Sequence, residues 1–241
     1  MRNKVLKLTI ALFLISASLF SLEQKLNYRF FKNPTRANIN SFTENHNTKK
    51  KFLYLYDSDK EAFIASELKQ TIDKTKKVAL VIYPSADHNN AFVHEKCKKT
   101  YGKAQKDFNL FLARPTSINQ LKNAIYDFNR MYGPIDCLWI QGHGKKNSLN
   151  LNKGEKFNFK SLTPYYLAML QKDAKIFLDS CYTGMKGGLA QNLSAVAEGR
   201  KIYAATEKSY CRLVDFVKGE IQFKNLKNKN ITVCYQNGIN V

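Results

Sequence analysis

Two residues in this sequence carry the chemistry of a covalent catalyst, and each stands at the end of an apolar run near glycine. Cys181 follows Ile176-Phe177-Leu178-Asp179-Ser180 and precedes Tyr182-Thr183-Gly184. His143 follows Cys137-Leu138-Trp139-Ile140-Gln141 and lies between Gly142 and Gly144. Short apolar runs of this kind read as buried parallel strands. Open α/β sheets place their ligand sites beyond the carboxyl ends of such strands. Neighbouring strands lie about 4.8 Å apart, so adjacency would bring a thiol and an imidazole to one sheet edge. The thiol can attack a carbonyl carbon, and the imidazole can act as base or general acid. The glycines allow close approach of substrate and backbone. Taken singly, Cys181 reads as a buried core residue and His143 as a satisfied polar group. Their joint placement carries the catalytic reading.

The strings Gly142-His143-Gly144 and Asp179-Ser180-Cys181-Tyr182-Thr183-Gly184 resemble the two catalytic motifs of the caspase-like cysteine peptidases. That superfamily holds caspases, metacaspases, legumains, gingipains and clostripain. The Asp-Ser-Cys form is most similar to metacaspases and their bacterial relatives. Caspases themselves carry Gln-Ala-Cys with the His about 50 residues upstream. Here the separation is 181 − 143 = 38 residues, with Asp in place of Gln, so the chain is not a true caspase. The resemblance covers roughly residues 76–206 as a strand–helix pattern, and only the two motifs are specific.

It implies a caspase-like three-layer α/β sandwich, with a mainly parallel sheet and helices on both faces. It also implies a cysteine endopeptidase in which His143 and Cys181 form a catalytic dyad. The backbone N–H groups of Gly144 and Cys181 would hold the oxyanion, and a backbone carbonyl often orients the histidine in such sites. The segment from Thr206 to Arg212 would line the cleft, with Thr206 and Glu207 as substrate-binding residues. Some relatives need Ca²⁺ and others are switched on by an anionic polyphosphate; the cofactor is left open. Asp179 lies two residues before Cys181, so on a strand both side chains face one way. A buried carboxylate needs a partner, and the matching Asp of metacaspases and clostripain lines a pocket for basic residues. Cleavage after Arg or Lys is therefore expected. Two other readings use the same residues: an inactive caspase-like binding module whose basic surface holds an anionic partner, and a transpeptidase or ligase using the same dyad.

The chain has 241 residues, 44% hydrophobic, and a formal net charge of +20. That length suits one α/β domain plus a leader, and the composition can fill a sizeable core. Lysine clusters at 49–51, 74–77, 96–99 and 224–229 favour an anionic ligand or membrane surface, although Lys and Asn enrichment is equally a compositional bias. No nucleic-acid motif accompanies the charge, so specific nucleic acid binding is not expected. The partner implied by the dyad is a peptide or protein substrate.

Met1–Lys7 is a basic start, Leu8–Ile15 an apolar run, and Ser16-Ala17-Ser18 and Ser21 are small. This reads as a signal peptide over residues 1–21, cut between Ser18 and Ser21, with export to the periplasm or medium. An uncleaved anchor is the alternative, but the run is short for a span of about 20 residues. Residues 22–51 read as a polar arm or pro-segment, and 52–241 as the peptidase domain. Five cysteines, Cys97, Cys137, Cys181, Cys211 and Cys234, leave one free thiol if the others pair in an oxidising compartment. Four could pair while Cys181 stays reduced, and the pairs are not assignable. Their spacing suits no metal site.

Strands are expected at 52–56, 78–83, 109–113, 136–141, 175–178 and 201–206. The capping box Ser58/Glu61 predicts a helix with Ile64, Leu68 and Ile72 on one face. Phe92, Val93 and Cys97 suggest a short helix. Ser117/Gln120 predicts a second capping box, before the stripe Ile118, Leu121, Ile125, Phe128, and Gly133-Pro134 stops that helix. A small hairpin is expected within 148–159. Thr163 and Pro164 open a helix through Leu170. Leu189, Leu193, Val196 and Ala197 point inward on a helix ended by Gly199. Ile221–Phe223 and Ile231–Tyr235 suggest edge strands. Asp87 and His88 could border the cleft, although Asp87 as a helix cap is the simpler reading. His46 and His94 read as solvated.

Overall fold

The computed structural model of the chain describes residues 54–57, 62–65, 75–84, 92, 98–152, 154–210 and 213–241, with backbone alone for 54–57, 62–65, 98–99 and 131. The expected arm and leader, Asp87, His88, His46, His94, Cys97, Cys211 and Arg212 lie outside them. Among the described residues no helix is long and apolar enough to cross a membrane.

The core is a mixed, mostly parallel sheet. Its central strands are β3 (Lys77–Ile82), β4 (Phe108–Ala113), β5 (Ile135–Gln141), β9 (Leu170–Asp179) and β10 (Lys201–Ala205). The outer ones are β1 (Tyr54–Asp57), β2 (Ala62–Ala65), β13 (Thr232–Gln236) and β14 (Ile239–Asn240). Nine strands run in the order β14-β13-β10-β9-β5-β3-β4-β1-β2. The pairs from β1 to β10 are parallel, and β2, β13 and β14 join antiparallel. Uninterrupted apolar runs such as Ala79-Leu80-Val81-Ile82 are fully buried, as strands covered on both sides require.

Two crossovers of opposite direction set the site. From β3 the chain passes through α1 (Lys98–Ala104) to β4, then returns through α2 (Ile118–Tyr132) to β5 on the far side of β3. Right-handed crossovers running in opposite directions leave the sheet on opposite faces. The carboxyl ends of β3 and β5 are thus a switch point of the kind where open α/β sheets place ligand sites. Leu121, Ala124, Ile125 and Phe128 of α2 pack in one core cluster with Leu138, Ile140, Ile176 and Leu178. Burying each such side chain contributes about 1.5–3 kcal/mol. Tyr101 and Ala104 of α1 belong to the other cluster, with Trp139, Phe177 and a hairpin of β11 (Asp215–Val217) and β12 (Glu220–Gln222).

Half of the second capping box forms: Ser117 Oγ accepts from Gln120 N–H at 3.2 Å, but Gln120 Oε1 takes the N–H and hydroxyl of Thr116, one residue before the cap. Gly133 ends α2 at φ +85°, a value that favours glycine. The small hairpin expected near 148–159 is a three-stranded sheet of β6 (His143–Lys145), β7 (Ser148–Asn150) and β8 (Lys156–Phe157).

Several expectations fail. Ile64 lies not on a helix but in β2, which pairs antiparallel with β1. Ser58 and Glu61 of the expected capping box fall outside the described residues. Leu68 and Ile72 fall outside the described residues. The helix opened by Pro164 stops early: α3 spans Pro164–Leu167, Thr163 makes no side-chain cap bond, and Leu170 already begins β9. Four residues cannot sustain a helix against strand pairing. In α4 (Leu189–Val196) the side chains of Leu189 and Leu193 are buried, as is Ala197 beyond its end, but Val196 is 39% exposed. Ile221 does not join the main sheet, since β12 pairs only with β11.

Candidate active site

The register of β5 against β9 pairs Gln141 with Asp179. Both strands end at this pair, and two residues further along each segment lie His143, which opens β6, and Cys181. Gly142 N–H donates to Asp179 O at 3.2 Å, extending the pairing past the last ladder residue. Gly144 packs against the second motif so closely that a Cβ there would stand 2.5 Å from Cys181 O and 2.7 Å from Ser180 Cβ. Only glycine fits, and the imidazole-bearing segment is thereby held against the thiol-bearing one. The His143 ring meets the Phe92 ring edge-on, with centroids 5.4 Å apart.

The turn after the thiol is tightly specified. Tyr182 has φ +63°, a left-handed conformation costly for a bulky residue and often found at functional turns. Its N–H donates to Glu207 O at 3.1 Å, and Gly184 N–H donates to Ala205 O at 2.8 Å. Ser180 and Thr183 hydroxyls bond each other at 2.9 Å. A side chain at Gly184 would strike Val233 and the Ala204 carbonyl. Leu189 N–H donates to Lys146 O at 2.7 Å, tying the start of α4 to the β6–β7 turn.

Cys181 is partly exposed, and its Sγ lies 3.6 Å from Ser209 O. Burial pushes its thiol up from the ordinary value, the Asp179 charge adds to this, and the Ser209 backbone and Lys208 ammonium offset part of it. The resting thiol is therefore mainly protonated near neutral pH. Cys137 is fully buried and burial pushes its thiol well up, which makes it inert. Cys137, Cys181 and Cys234 are free among the described residues.

Asp179 is 1% exposed. Its Oδ2 accepts from Gln141 Nε2 at 2.8 Å and Trp139 Nε1 at 3.3 Å. Burial nevertheless raises its carboxyl to about 6, against these two donors. Among the described residues, no hydrogen bond reaches Oδ1. The carboxylate lies on the core face of Trp139 and Phe177, directly before the thiol.

Thr206 and Glu207 sit in the segment that follows β10, but their side chains are engaged elsewhere. Thr206 Oγ1 donates to Ile231 O at 3.2 Å, and Glu207 Oε2 accepts from Asn225 Nδ2 at 3.1 Å. Ser209 and Lys208 of that segment come nearest to Cys181. Sequence reasoning missed them, along with Gln141 and Trp139 as partners of Asp179. Aligning the two strand ends would have revealed Gln141, which stands two residues before His143 as Asp179 stands before Cys181. No group of three or more His, Cys, Asp or Glu side chains arranged to hold a metal occurs among the described residues.

A search of curated proteins finds no match. A family described as a domain of unknown function, DUF8616, matches residues 107–223, just under half of the chain. That span includes His143, Asp179, Cys181 and Ser209, so both motifs lie within the matched region.

Proposed function

We propose that this chain is an exported cysteine endopeptidase of caspase-like fold, which cleaves after Arg or Lys with a His143/Cys181 dyad. The observation that carries the reading is the β5–β9 register, whose last pair, Gln141 and Asp179, stands two residues before His143 and Cys181. The mostly parallel sheet, with its switch point between β3 and β5, supports the caspase-like assignment.

In the proposed reaction, Cys181 Sγ attacks the scissile carbonyl carbon. The thiol proton leaves as the S–C bond forms, because burial disfavours a resting thiolate. His143 carries that proton to the leaving amine as the C–N bond breaks. Water then attacks the thioester, releases the carboxylic acid and returns a proton to Cys181. Backbone N–H groups of Gly144 and Cys181 would take the developing oxyanion, a contribution of a few kcal/mol, about 2.7–4 for one donor elsewhere. Asp179 Oδ1 would receive the guanidinium or ammonium of the residue before the cut.

The test is cleavage of a peptide library varied at that residue. Products ending in Arg or Lys, lost in Cys181→Ala and in His143→Ala, are expected. A preference for Asp, Asn or an apolar residue would refute the pocket. Retained turnover in Cys181→Ala would refute the nucleophile. Transfer to an added amine, in place of hydrolysis, would show the ligase outcome of the same dyad.

A further inference from the structure

Beneath the dyad a row of buried polar groups crosses from α1 to β9. The Tyr101 hydroxyl donates to Gln141 Oε1, and Gln141 Nε2 donates to Asp179 Oδ2 at 2.8 Å. All three residues are 1% exposed or less. The Tyr101 ring is held against Trp139, centroids 5.1 Å apart, and Trp139 Nε1 also donates to Oδ2.

Donor and acceptor directions in this row lock one another. An amide oxygen can only accept, so a phenol bonded to it must give its proton. With Oε1 taken by Tyr101, the amide NH₂ faces Asp179 and suits an ionised carboxylate. Turned over, the amide would present Oε1 to Asp179, which only a protonated carboxyl could meet. The row therefore distinguishes the two charge states of Asp179 and spends Oδ2 on protein donors.

We propose that Tyr101 and Gln141 are positioning residues for substrate choice: they hold Asp179 ionised and turned so that Oδ1 meets the cationic side chain before the cut. This rests on the reading of Asp179 as the pocket carboxylate. The other titratable groups around it among the described residues are Tyr83 from β3, whose charge couples to Tyr101, and Cys181 beyond the end of β9. The cation at this end, Lys208, acts on Cys181, and no cation bonds Asp179 among the described residues, so the substrate would provide its positive partner.

The experiment uses the full chain carrying Cys181→Ala, with Asp carboxyl carbons followed by NMR and Asp179 assigned from an Asp179→Asn spectrum. The parent should titrate near 6. Tyr101→Phe keeps the ring on Trp139, and should raise the midpoint by about half a pH unit or more; Gln141→Met should raise it further. Agmatine, a soluble guanidinium, should lower the parent's midpoint and act more weakly on both variants. In the active enzyme, Tyr101→Phe should raise KM for an Arg peptide about tenfold with kcat within about twofold. A merely structural role would cost stability and leave the Asp179 titration in place. An unmoved midpoint in both folded variants would overturn the relay. An agmatine-insensitive Asp179 in the parent would instead remove the pocket reading on which it rests.

Discussion

Among the described residues three charged side chains are buried, Asp127, Asp179 and Arg200, and the last two are satisfied in opposite ways. Arg200, 4% exposed, lies at the amino end of β10. Its Nε, Nη1 and Nη2 donate to the carbonyls of Gln171, Ala197 and Leu170 at 3.0, 3.0 and 2.9 Å. It closes the start of β9 against the end of α4, with a donor for each carbonyl it meets. Asp179, at the carboxyl end of β9, has donors on Oδ2 only among the described residues, and lies two residues before Cys181. A buried charge saturated by its own backbone is a structural clasp. One left half-saturated beside a nucleophile is poised for a ligand. The two ends of one strand thus separate stability from proposed function.

The largest expected effect lies at the open end. Asp179→Asn should lower kcat/KM on Arg peptides by about a hundredfold or more, the scale of losing a desolvated charge pair. The same change should stabilise the fold. A carboxyl at about 6 when folded, against 3.8 unfolded, is harder to ionise in the native state. Native stability from this group is full below about 4 and falls as pH rises to about 6. Above that the cost is roughly 3 kcal/mol. Asp179→Asn should therefore unfold at higher denaturant than the parent at pH 8 and gain nothing at pH 4. A variant destabilised at pH 8 would make Asp179 a clasp like Arg200.

Arg200→Met should do the reverse. Removing the three guanidinium donors should cost about 2–4 kcal/mol in denaturant unfolding, although the Ala197 carbonyl keeps the Arg200 N–H, while kcat/KM of the folded fraction stays near that of the parent. Loss of activity beyond loss of folded protein would break the contrast. On the acid side, kcat/KM for basic peptides should rise with pH through a midpoint near 6 as Asp179 ionises. In Asp179→Asn that limb should vanish.

Much of the sheet was legible because its central strands are unbroken apolar runs that no helix period explains. Ile135–Gln141 and Ala174–Asp179 could be placed from composition alone, and with them the approach of the two motifs. The edges were not. Ile64 falls in a four-residue strand whose existence depends on β1, a partner distant from any local signal. Leu170 becomes strand because β5 and Arg200 claim it, although Pro164 opens a helical turn just before. The two motifs were readable as strand ends, since Gln141 closes β5 and Asp179 closes β9. The surroundings of Cys181 were not, because Ser209 reaches it through the path of an irregular segment with no periodicity. The Asp179 network was half readable: the carboxylate had a motif, but Tyr101 arrives from a helix whose onset could not be fixed.

Smaller effects concern the other thiols. Alkylation of Cys181 in the resting enzyme should show a midpoint above the ordinary thiol value of about 8.5, because burial outweighs Lys208. A midpoint well below 7 would reveal a preformed thiolate–imidazolium pair. Cys234 on β13 pairs with Tyr203 of β10 in the strand register and lies away from the dyad. Cys234→Ser should change stability by about 1 kcal/mol or less and leave turnover unchanged.

The dyad is tested most directly by mass spectrometry after treatment with an acyloxymethyl ketone peptide ending in Arg. The account predicts one inhibitor per chain, attached to Cys181, with labelling lost in Cys181→Ala and strongly slowed in His143→Ala. Stoichiometric labelling at Cys234 or Cys137, or turnover of an Arg peptide by an enzyme whose Cys181 remains unmodified, would contradict it.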